Sequence, residues 1–358
     1  MRALRYHGAQ DLRLDDLPEP KCGPAQVKIR PAFVGICGTD LHEYRTQTFV
    51  PKPGAPHVLS NETAPVTIGH ELSGTIVEIG ADVVNSAGLE VGDRVTVFPL
   101  LYCRACGPCR DGLPNCCEKK GFRGLSGGGG GLSDYMCLPP ETIFKLPDTI
   151  SLEVGALIEP LAVAWHAVRE SGIAAGQASL VFGAGPIGLA IIQCLKAMGA
   201  GEIIAVELAT RRQAFAKQFG ATHILDPSHV DVVKEAQKLT GGRGPPVAFD
   251  CAGVPSSLDS TTRAVCARGT IMNVAIWETP VPFHPNNLVL NERRLVGSLT
   301  YVEADFEYVI DALREGRMTP ESMITSKISI DRVVEDGFDA LVNEKDKHVK
   351  ILVDLSAP

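Results

Sequence analysis

The sequence lacks the features that mark membrane and nucleic-acid-binding proteins. No apolar run reaches the roughly 20 residues that a membrane-spanning helix needs. No block of lysine and arginine appears and the net charge is −8, so no basic stripe is available to neutralise phosphates. The first residues from Met1 onward lack the apolar core of a signal peptide. We therefore expect a cytoplasmic protein with neither a membrane partner nor a nucleic-acid partner.

The composition is that of a globular protein with more than one core. Hydrophobic residues make up 45% of the 358 residues and charged residues 21%, and a chain of this length is expected to form two domains. Eleven cysteines are many for a cytosolic protein. A secreted disulfide framework is disfavoured by the length and by the N-terminal sequence. Five of the cysteines lie within fifteen residues, and the close spacing of four of them indicates a metal site.

The first 150 residues predict a β-rich domain. Short runs with alternating polarity, bounded by turn residues, occur at 27–30, 74–79 and 93–97. Five consecutive glycines, Gly127 to Gly131, predict a flexible loop, and we assign it no phosphate-binding role because no helix follows it.

The pattern changes after Pro160 to strands that alternate with helices. Strands are predicted at 178–182, 203–207, 223–225, 247–250 and 270–275, and helices at 186–198 and 211–220. This alternation predicts a parallel, doubly wound sheet. The chain from about Tyr301 returns to mixed helix and strand and ends in a strand at 349–353.

A dinucleotide-binding motif lies at Gly183-Ala184-Gly185-Pro186-Ile187-Gly188. A strand precedes it, a helix opens inside it, and Glu207 ends the next strand nineteen residues after Gly188. In this pattern the first glycine allows the tight turn, the second lets the backbone approach the pyrophosphate, and the third lets the helix pack close to the strand. The N-terminus of the helix then directs its free N–H groups at the phosphates.

The residue that ends the second strand favours NAD over NADP. The carboxylate of Glu207 can accept hydrogen bonds from the ribose hydroxyls and would repel a 2′-phosphate. Arg211 and Arg212 follow closely and could bind such a phosphate, or could instead cover the adenine or face solvent. We predict NAD.

The four clustered cysteines predict a structural zinc site in a lobe at about 100–120. Their spacing is compact, with Cys103, Cys106, Cys109 and Cys117 in a polar loop. Four sulfurs around one Zn²⁺ form a closed tetrahedron with no position for a substrate. Cys116 could in principle replace Cys117. A DNA-binding zinc module is disfavoured because no basic recognition helix follows.

Three further segments carry possible metal ligands. They are Cys37-Gly38-Thr39-Asp40-Leu41-His42, Gly69-His70-Glu71, and Ile158-Glu159-Pro160. Each is weak alone, because a lone cysteine is usually a core residue and a lone histidine usually makes ordinary hydrogen bonds. Together with the four-cysteine lobe and the glycine motif, in this order, they resemble the zinc-containing medium-chain alcohol and polyol dehydrogenases. The resemblance covers essentially the whole chain.

That resemblance implies a catalytic Zn²⁺ held by Cys37 and His70. Glu71, Glu159 or a water would complete its shell, and one position would stay open for the substrate oxygen. Liver-type alcohol dehydrogenases carry cysteine where Glu159 stands, whereas polyol and butanediol enzymes carry glutamate. The family spacing also favours Cys117 over Cys116 as the fourth ligand of the structural zinc.

The resemblance further implies the chemistry. Zinc would act as a Lewis acid on the substrate hydroxyl, Thr39 would accept its proton, and His42 would relay that proton to solvent. Hydride would pass to the nicotinamide of NAD. The residues implied to border the nicotinamide ribose are Cys251, Val274, Ala275 and Ile276, and Arg212 is assigned to the cofactor site with Glu207.

Within the family, 2,3-butanediol dehydrogenases resemble this sequence most, on stretches such as 158–166 and 273–277. Sorbitol dehydrogenases usually carry tyrosine where Glu43 stands and an Arg-Tyr pair where Thr300-Tyr301 stands. We therefore predict interconversion of 2,3-butanediol and acetoin, with sorbitol-like polyols and L-threonine as alternatives. A non-catalytic NAD-binding protein of the same fold is the alternative of another class, disfavoured because Cys37, His42 and His70 are all present.

The resemblance also implies the organisation of the chain. We expect a GroES-like catalytic domain at 1–160 and 301–358, a Rossmann NAD-binding domain at 161–300, and a homodimer or homotetramer.

Overall fold

The computed structural model describes residues 1–84, 88–277, 279–344 and 346–356. The chain divides into two compact units: residues 1–159, 302–310 and 324–358 form the first, and residues 160–301 and 311–323 form the second. The sequence assigns 311–323 to the first unit instead. These residues pack on the second unit, where Gln193 Nε2 lies 3.2 Å from Met323 Sδ and Gln218 Nε2 donates to Ser322 Oγ at 2.9 Å.

The described residues contain eighteen strands. They are β1 Arg2–Gly8, β2 Asp11–Asp16, β3 Val27–Gly35, β4 Val66–Thr67, β5 Glu71–Ile79, β6 Arg94–Val97, β7 Leu100–Leu101, β8 Gly121–Phe122, β9 Met136–Leu138, β10 Ile143–Lys145, β11 Ser179–Phe182, β12 Ile203–Val206, β13 His223–Leu225, β14 Val247–Asp250, β15 Thr270–Asn273, β16 Arg294–Gly297, β17 Ile324–Ser329 and β18 Lys350–Asp354.

The same residues contain eleven α-helices. They are α1 Gly38–Thr46, α2 Gly107–Arg110, α3 Leu152–Gly155, α4 Ile158–Glu170, α5 Pro186–Ala197, α6 Thr210–Phe219, α7 Val232–Leu239, α8 Pro255–Ala264, α9 Asn286–Val289, α10 Glu303–Arg314 and α11 Ala340–Asn343. Short 3₁₀ turns lie at Pro114–Cys116, Pro140–Thr142, Glu321–Met323 and Ile330–Arg332, and a π-helical turn at Val333–Asp339. Across the described segments, every helix is too short or too polar to cross a membrane.

The first unit is built on a largely antiparallel sheet of seven strands. Its order is β10-β6-β5-β3-β18-β17, with β9 also paired to β3. Strand β3 lies at the centre and pairs with β5, β9 and β18. Its side chains are almost all buried, because both faces are covered. A core of branched aliphatic side chains packs around this strand, including Ile29, Val34 and Leu72.

The second unit is a parallel sheet of six strands in the order β13-β12-β11-β14-β15-β16. Every neighbouring pair is parallel, as the alternation of strands and helices predicts. The four residues of β11, β12 and β14 are all buried, which explains their continuous apolar sequences. The chain order reverses between β11 and β14, and ligands bind at such a switch point in doubly wound sheets.

The glycine run at 127–131 is packed and is not the flexible loop that its composition predicts. Backbone N–H groups of Gly131 and Leu132 donate to the carbonyls of Gly69 and Ile68 at 2.8 and 3.0 Å. A Cβ on Gly130 would lie 2.4 Å from the carbonyl oxygen of Thr67. The run consists of glycine because another chain segment lies directly against it.

Candidate active site

Strand pairing brings two distant parts of the sequence together at the first site. Strand β3 ends at Gly35, which pairs with Glu71, the first residue of β5. Cys37 lies two residues beyond β3 and His70 directly before β5, so both emerge at the same corner of the sheet. One ligand atom each from Cys37, His70 and Glu71 lies within 4.8 Å of the others. His70 and Glu71 are buried and Cys37 is half-buried.

Asp40 ties the two segments to each other. Its Oδ2 accepts the backbone N–H of Cys37 at 2.9 Å, and its Oδ1 lies 3.4 Å from Nδ1 of His70. Asp40 is 2% exposed, so both contacts are made away from solvent. A carboxylate beside one ring nitrogen orients the imidazole and leaves the other nitrogen for a metal.

A buried ion pair adjoins this cluster. Lys350 Nζ donates to both carboxylate oxygens of Glu71, at 2.7 and 2.6 Å, and to the carbonyl of Ile36 at 3.2 Å. Lys350 and Glu71 are 2% and 0% exposed. A Cβ on Gly35 would lie 2.1 Å from Glu71 Oε2, so only glycine leaves room for this carboxylate. Lys350 therefore compensates the charge that Glu71 brings into the core.

The electrostatics of the cluster favour a cation. Burial and the neighbouring Glu71 raise the pKa of the Cys37 thiol. Burial lowers the pKa of His70, but Asp40 and Cys37 outweigh it and hold the pKa well above its usual value. A positive charge close to the cluster would therefore stabilise the Cys37 thiolate and would be stabilised by the carboxylates around His70. A cysteine, a histidine and a carboxylate are donors that Zn²⁺ prefers, and a cation would hold the thiolate ionised.

Glu159, Thr39 and His42, the other residues implied for catalysis, are not part of the three-ligand group. Glu159 is 5% exposed in the first turn of α4, and its charge helps to raise the pKa of Lys350 after Glu71 and Cys37. Thr39 Oγ1 lies 3.7 Å from Cys37 Sγ. His42, on α1, is half-buried, and its Nε2 lies 3.0 Å from Thr48 Oγ1.

The four predicted cysteines of the lobe converge on one point. Cys103, Cys106, Cys109 and Cys117 each place a sulfur within 4.8 Å of the others, and Cys116 is exposed and outside the group. Cys103 Sγ lies 4.0 Å from Cys109 Sγ, and Cys106 Sγ lies 3.8 Å from Cys117 Sγ. A tetrahedron with Zn–S bonds of about 2.3 Å has edges of about 3.8 Å, so these sulfurs fit Zn²⁺.

Backbone amides lower the pKa of two of the four thiols, Cys103 and Cys106, whereas burial and the neighbouring thiols raise the pKa of Cys109 to about 12. Hydrogen bonds from the amides of Ala105 and Cys106 lower the pKa of Cys103 to about 6. The amides of Cys103 and Lys119 both donate to Cys117 Sγ at 3.3 Å. Such N–H···S bonds favour the charged form that binds metal.

In the second unit, the glycine motif lies in the turn between β11 and α5. Gly183 has φ 91°, which only glycine adopts without strain, and a Cβ on Gly188 would lie 1.9 Å from the Gly183 carbonyl. Gly185 faces open space and precedes Pro186, the first residue of α5, with Ile187 second. The first turn of α5 is therefore accessible to a phosphate.

Glu207 lies at the end of β12 beside this turn. Its carboxylate accepts backbone N–H bonds from Ala184 at 2.8 Å, Leu208 at 2.8 Å and Ala209 at 2.9 Å. These bonds fix the carboxylate next to the glycine motif. Arg212 is half-buried on α6, five residues further along.

The segments predicted to border the nicotinamide ribose adjoin each other. Val274 and Ala275 donate backbone N–H bonds to the carbonyl of Asp250 at 3.0 and 3.1 Å. Cys251 follows Asp250, and burial raises the pKa of its thiol. Ile276 is 64% exposed, so its side chain is accessible to a ligand.

Comparison with known proteins agrees with this geometry. Residues 23–148 match the alcohol dehydrogenase GroES-like domain and residues 186–315 match the zinc-binding dehydrogenase family. The chain is 46% identical to (R,R)-butanediol dehydrogenase of Bacillus subtilis, over 99% of both chains. It belongs to the zinc-binding alcohol dehydrogenases. This dehydrogenase is therefore an oxidoreductase, and the predicted family and fold class are confirmed.

A solved structure and a second relative extend the comparison. The crystal structure of 2R,3R-butanediol dehydrogenase from Bacillus subtilis superposes with a TM-score of 0.92 at 45% identity and covers 99% of both chains. A probable D-xylulose reductase A from Neosartorya fischeri is 34% identical over 90% of this chain and 88% of its own.

Two charged residues of the dehydrogenase escape sequence reasoning. Lys350 lies in the otherwise apolar run 349–353, which is a signal for a buried, paired charge, yet its partner lies 279 residues away. Asp40 lies inside the Cys37 motif, where only its position between two implied functional residues draws attention. Both act on the cluster through residues that the motifs do identify.

Proposed function

We propose that this dehydrogenase interconverts 2,3-butanediol and acetoin with NAD as the hydride carrier. Oxidation removes a proton from the hydroxyl and a hydride from the carbinol carbon, and NAD⁺ becomes NADH. The observation that carries the proposal is the buried cluster of Cys37, His70 and Glu71, in a chain 46% identical to a butanediol dehydrogenase. The name of that relative supports 2,3-butanediol as the substrate.

We propose two Zn²⁺ ions per chain. Cys37 and His70 would hold the catalytic ion, with Glu71, Glu159 or a water completing its shell. When bound, this ion supplies Lewis acidity that lowers the pKa of the substrate hydroxyl. The sulfurs of Cys103, Cys106, Cys109 and Cys117 would hold the second ion, and their closed arrangement supports a structural role.

Residues of the first unit would handle the proton. Thr39 lies beside Cys37, where its hydroxyl can accept the proton of a substrate alcohol. His42 would then carry that proton to solvent, since a histidine titrates near neutral pH and this one is half-buried. Asp40 orients His70 and Cys37 and takes no proton in this scheme.

Residues of the second unit would hold NAD. Gly183, Gly185, Pro186, Ile187 and Gly188 form the phosphate-binding turn and the start of α5, where N–H groups favour the pyrophosphate. The fixed carboxylate of Glu207 supports NAD, because a 2′-phosphate beside it would meet like charge.

The remaining cofactor contacts come from neighbouring elements. Arg212 would lie against the adenosine half, and the nicotinamide ribose would be bordered by Cys251, Val274, Ala275 and Ile276.

We further propose a homodimer or homotetramer in which a second copy covers strand β16. In the described part of the sheet β16 is the edge strand, and all four of its residues are exposed. Val289 and Leu290, a few residues before it in the chain, are 67% and 77% exposed. An apolar, unpaired edge of this kind favours association. Sedimentation of Val296→Asp should show dissociation, whereas Val84→Asp, at a site 83% exposed in the first unit, should not.

A polyol is the second candidate substrate, supported by the probable D-xylulose reductase at 34% identity. Steady-state assays with NAD on the three stereoisomers of 2,3-butanediol, on sorbitol, xylitol and L-threonine decide between them. We expect the highest kcat/KM on a butanediol stereoisomer. A higher kcat/KM on a polyol or on threonine would identify that compound as the substrate instead. If the zinc-loaded protein oxidised none of these alcohols, it would be a non-catalytic protein.

A further inference from the structure

His42 belongs to a closed ring of hydrogen bonds at the end of α1. Its Nε2 lies 3.0 Å from Thr48 Oγ1. Thr48 Oγ1 lies 3.3 Å from Thr46 Oγ1, and Thr46 Oγ1 lies 2.9 Å from the carbonyl oxygen of His42 itself. Three contacts therefore link the imidazole to its own backbone through two hydroxyl groups.

Counting protons around this ring fixes the direction of every bond. A carbonyl oxygen can only accept a hydrogen bond, so Thr46 donates its one hydroxyl proton to the His42 carbonyl. The hydroxyl of Thr46 must then accept a hydrogen bond from the hydroxyl of Thr48, which uses the one hydroxyl proton of Thr48. Thr48 must accept from Nε2 of His42. The ring closes only when Nε2 carries the proton, and a neutral imidazole then has its lone pair on Nδ1.

A buried carboxylate holds Thr48 in place for this bond. Glu43 is 1% exposed, and its two oxygens accept the backbone N–H groups of Thr48 at 2.8 Å, Phe49 at 2.7 Å and Val50 at 3.1 Å. Hydrogen bonds to an ionised acceptor are the stronger kind. Val50, 3% exposed, anchors the end of the same segment in the core. The position of Thr48 is thus set by Glu43 and not by His42.

We propose that Thr48, held by Glu43, is a positioning residue that sets the tautomer of His42 for proton transfer. The inference rests on the proposed function, in which His42 carries the proton of the substrate hydroxyl. With the proton of the resting imidazole on Nε2, Nδ1 is the base that accepts the incoming proton. The resulting imidazolium later loses that proton to water, which restores the Nε2–H form.

Three variants test the proposal by rate. Thr48→Val keeps the shape and removes the hydroxyl, whereas Thr48→Ser keeps the hydroxyl. Thr63→Val is the matched control, because Thr63 lies on the same surface segment and its hydroxyl donates to the Lys52 carbonyl at 2.5 Å. With NAD and 2,3-butanediol, we expect Thr48→Val to lower kcat by about tenfold with KM within about twofold. Serine should restore kcat, and the control should match the wild type.

Nitrogen-15 NMR of histidine-labelled protein tests the tautomer without relying on activity. The signals of His42 are those lost in His42→Ala. We expect a protonated Nε2 and an unprotonated Nδ1 in the wild type, and a mixture of tautomers in Thr48→Val and in Glu43→Gln, which has one acceptor oxygen fewer. An Nδ1–H form in the wild type, or an unchanged tautomer in Thr48→Val, would overturn the proposal.

The His42→Ala variant separates this inference from the proposed function. If kcat of His42→Ala equals that of the wild type, the relay role of His42 is wrong and the inference fails with it. If His42→Ala is slow but Thr48→Val is as fast as the wild type, the relay stands and the positioning role of Thr48 is wrong. In the His42→Ala background, Thr48→Val should have no further effect, because the residues act in one chain.

Discussion

The two groups of proposed metal ligands in the first unit are assembled by different means. The four cysteines of the lobe lie within fifteen residues, are held by local turns, and are mostly half-buried. Cys37 and His70 are thirty-three positions apart and meet because Gly35 pairs with Glu71 across two central strands. We therefore expect the lobe to depend on a bound metal for its stability, whereas the cluster depends on the sheet for its geometry.

The largest expected effect comes from removing a ligand that the sheet positions. We expect His70→Ala to lower kcat/KM by about 10⁴-fold, equivalent to about 5.5 kcal/mol of transition-state stabilisation, because it removes the Lewis acid. Elemental analysis should show the zinc content falling from two to one per chain. Unchanged activity or two retained zinc ions would contradict the assignment.

The buried ion pair should give the next effect, and this effect should fall on stability. Lys350→Met leaves the Glu71 carboxylate buried without its partner, which costs about 3–5 kcal/mol. Lys347→Met is the matched control, because its pair with Glu344 is exposed and such pairs contribute about 0–1 kcal/mol. Urea denaturation measures both. Equal destabilisation by the two variants would show that the Glu71 pair is not important for the fold.

Removal of one cysteine from the lobe should affect the lobe and leave the rest of the first unit folded. We expect Cys103→Ser to release one zinc ion and to raise the rate of proteolytic cleavage at 100–120 by about tenfold, since a small lobe without its metal opens independently of the sheet. Cys116→Ser is the control, because Cys116 is exposed and outside the four-sulfur group. If Cys116→Ser released zinc and Cys103→Ser did not, the ligand set would be wrong.

Some features of the site can be predicted from the sequence and others depend on the folded sheet. The lobe and the glycine motif can be predicted from short spacings because their residues are neighbours in the chain. The pairing of Lys350 with Glu71 cannot, because it depends on which strands become neighbours in a sheet. Composition alone misinterpreted the glycine run, since glycine permits both flexible loops and close approach of two backbones.

The smallest expected effect tests the close packing of Gly124 against Gly69. A Cβ on Gly124 would lie 2.2 Å from the Gly69 carbonyl, next to His70, whereas Gly112 in the lobe has nothing within 4 Å. Both have positive φ, 79° and 77°, so alanine costs about 1–2 kcal/mol of backbone strain at either position. We expect Gly124→Ala to lower kcat severalfold more than Gly112→Ala. Equal activity of the two would show that the packing of Gly124 against Gly69 does not position His70.

Zinc X-ray absorption spectroscopy of the Cys103→Ser variant reports on the Cys37–His70–Glu71 cluster alone, because only this cluster should then hold metal. We expect one zinc per chain with one sulfur neighbour from Cys37 and otherwise nitrogen and oxygen neighbours. A shell of several sulfurs, or a variant without zinc that still oxidises 2,3-butanediol at the wild-type rate, would contradict this expectation.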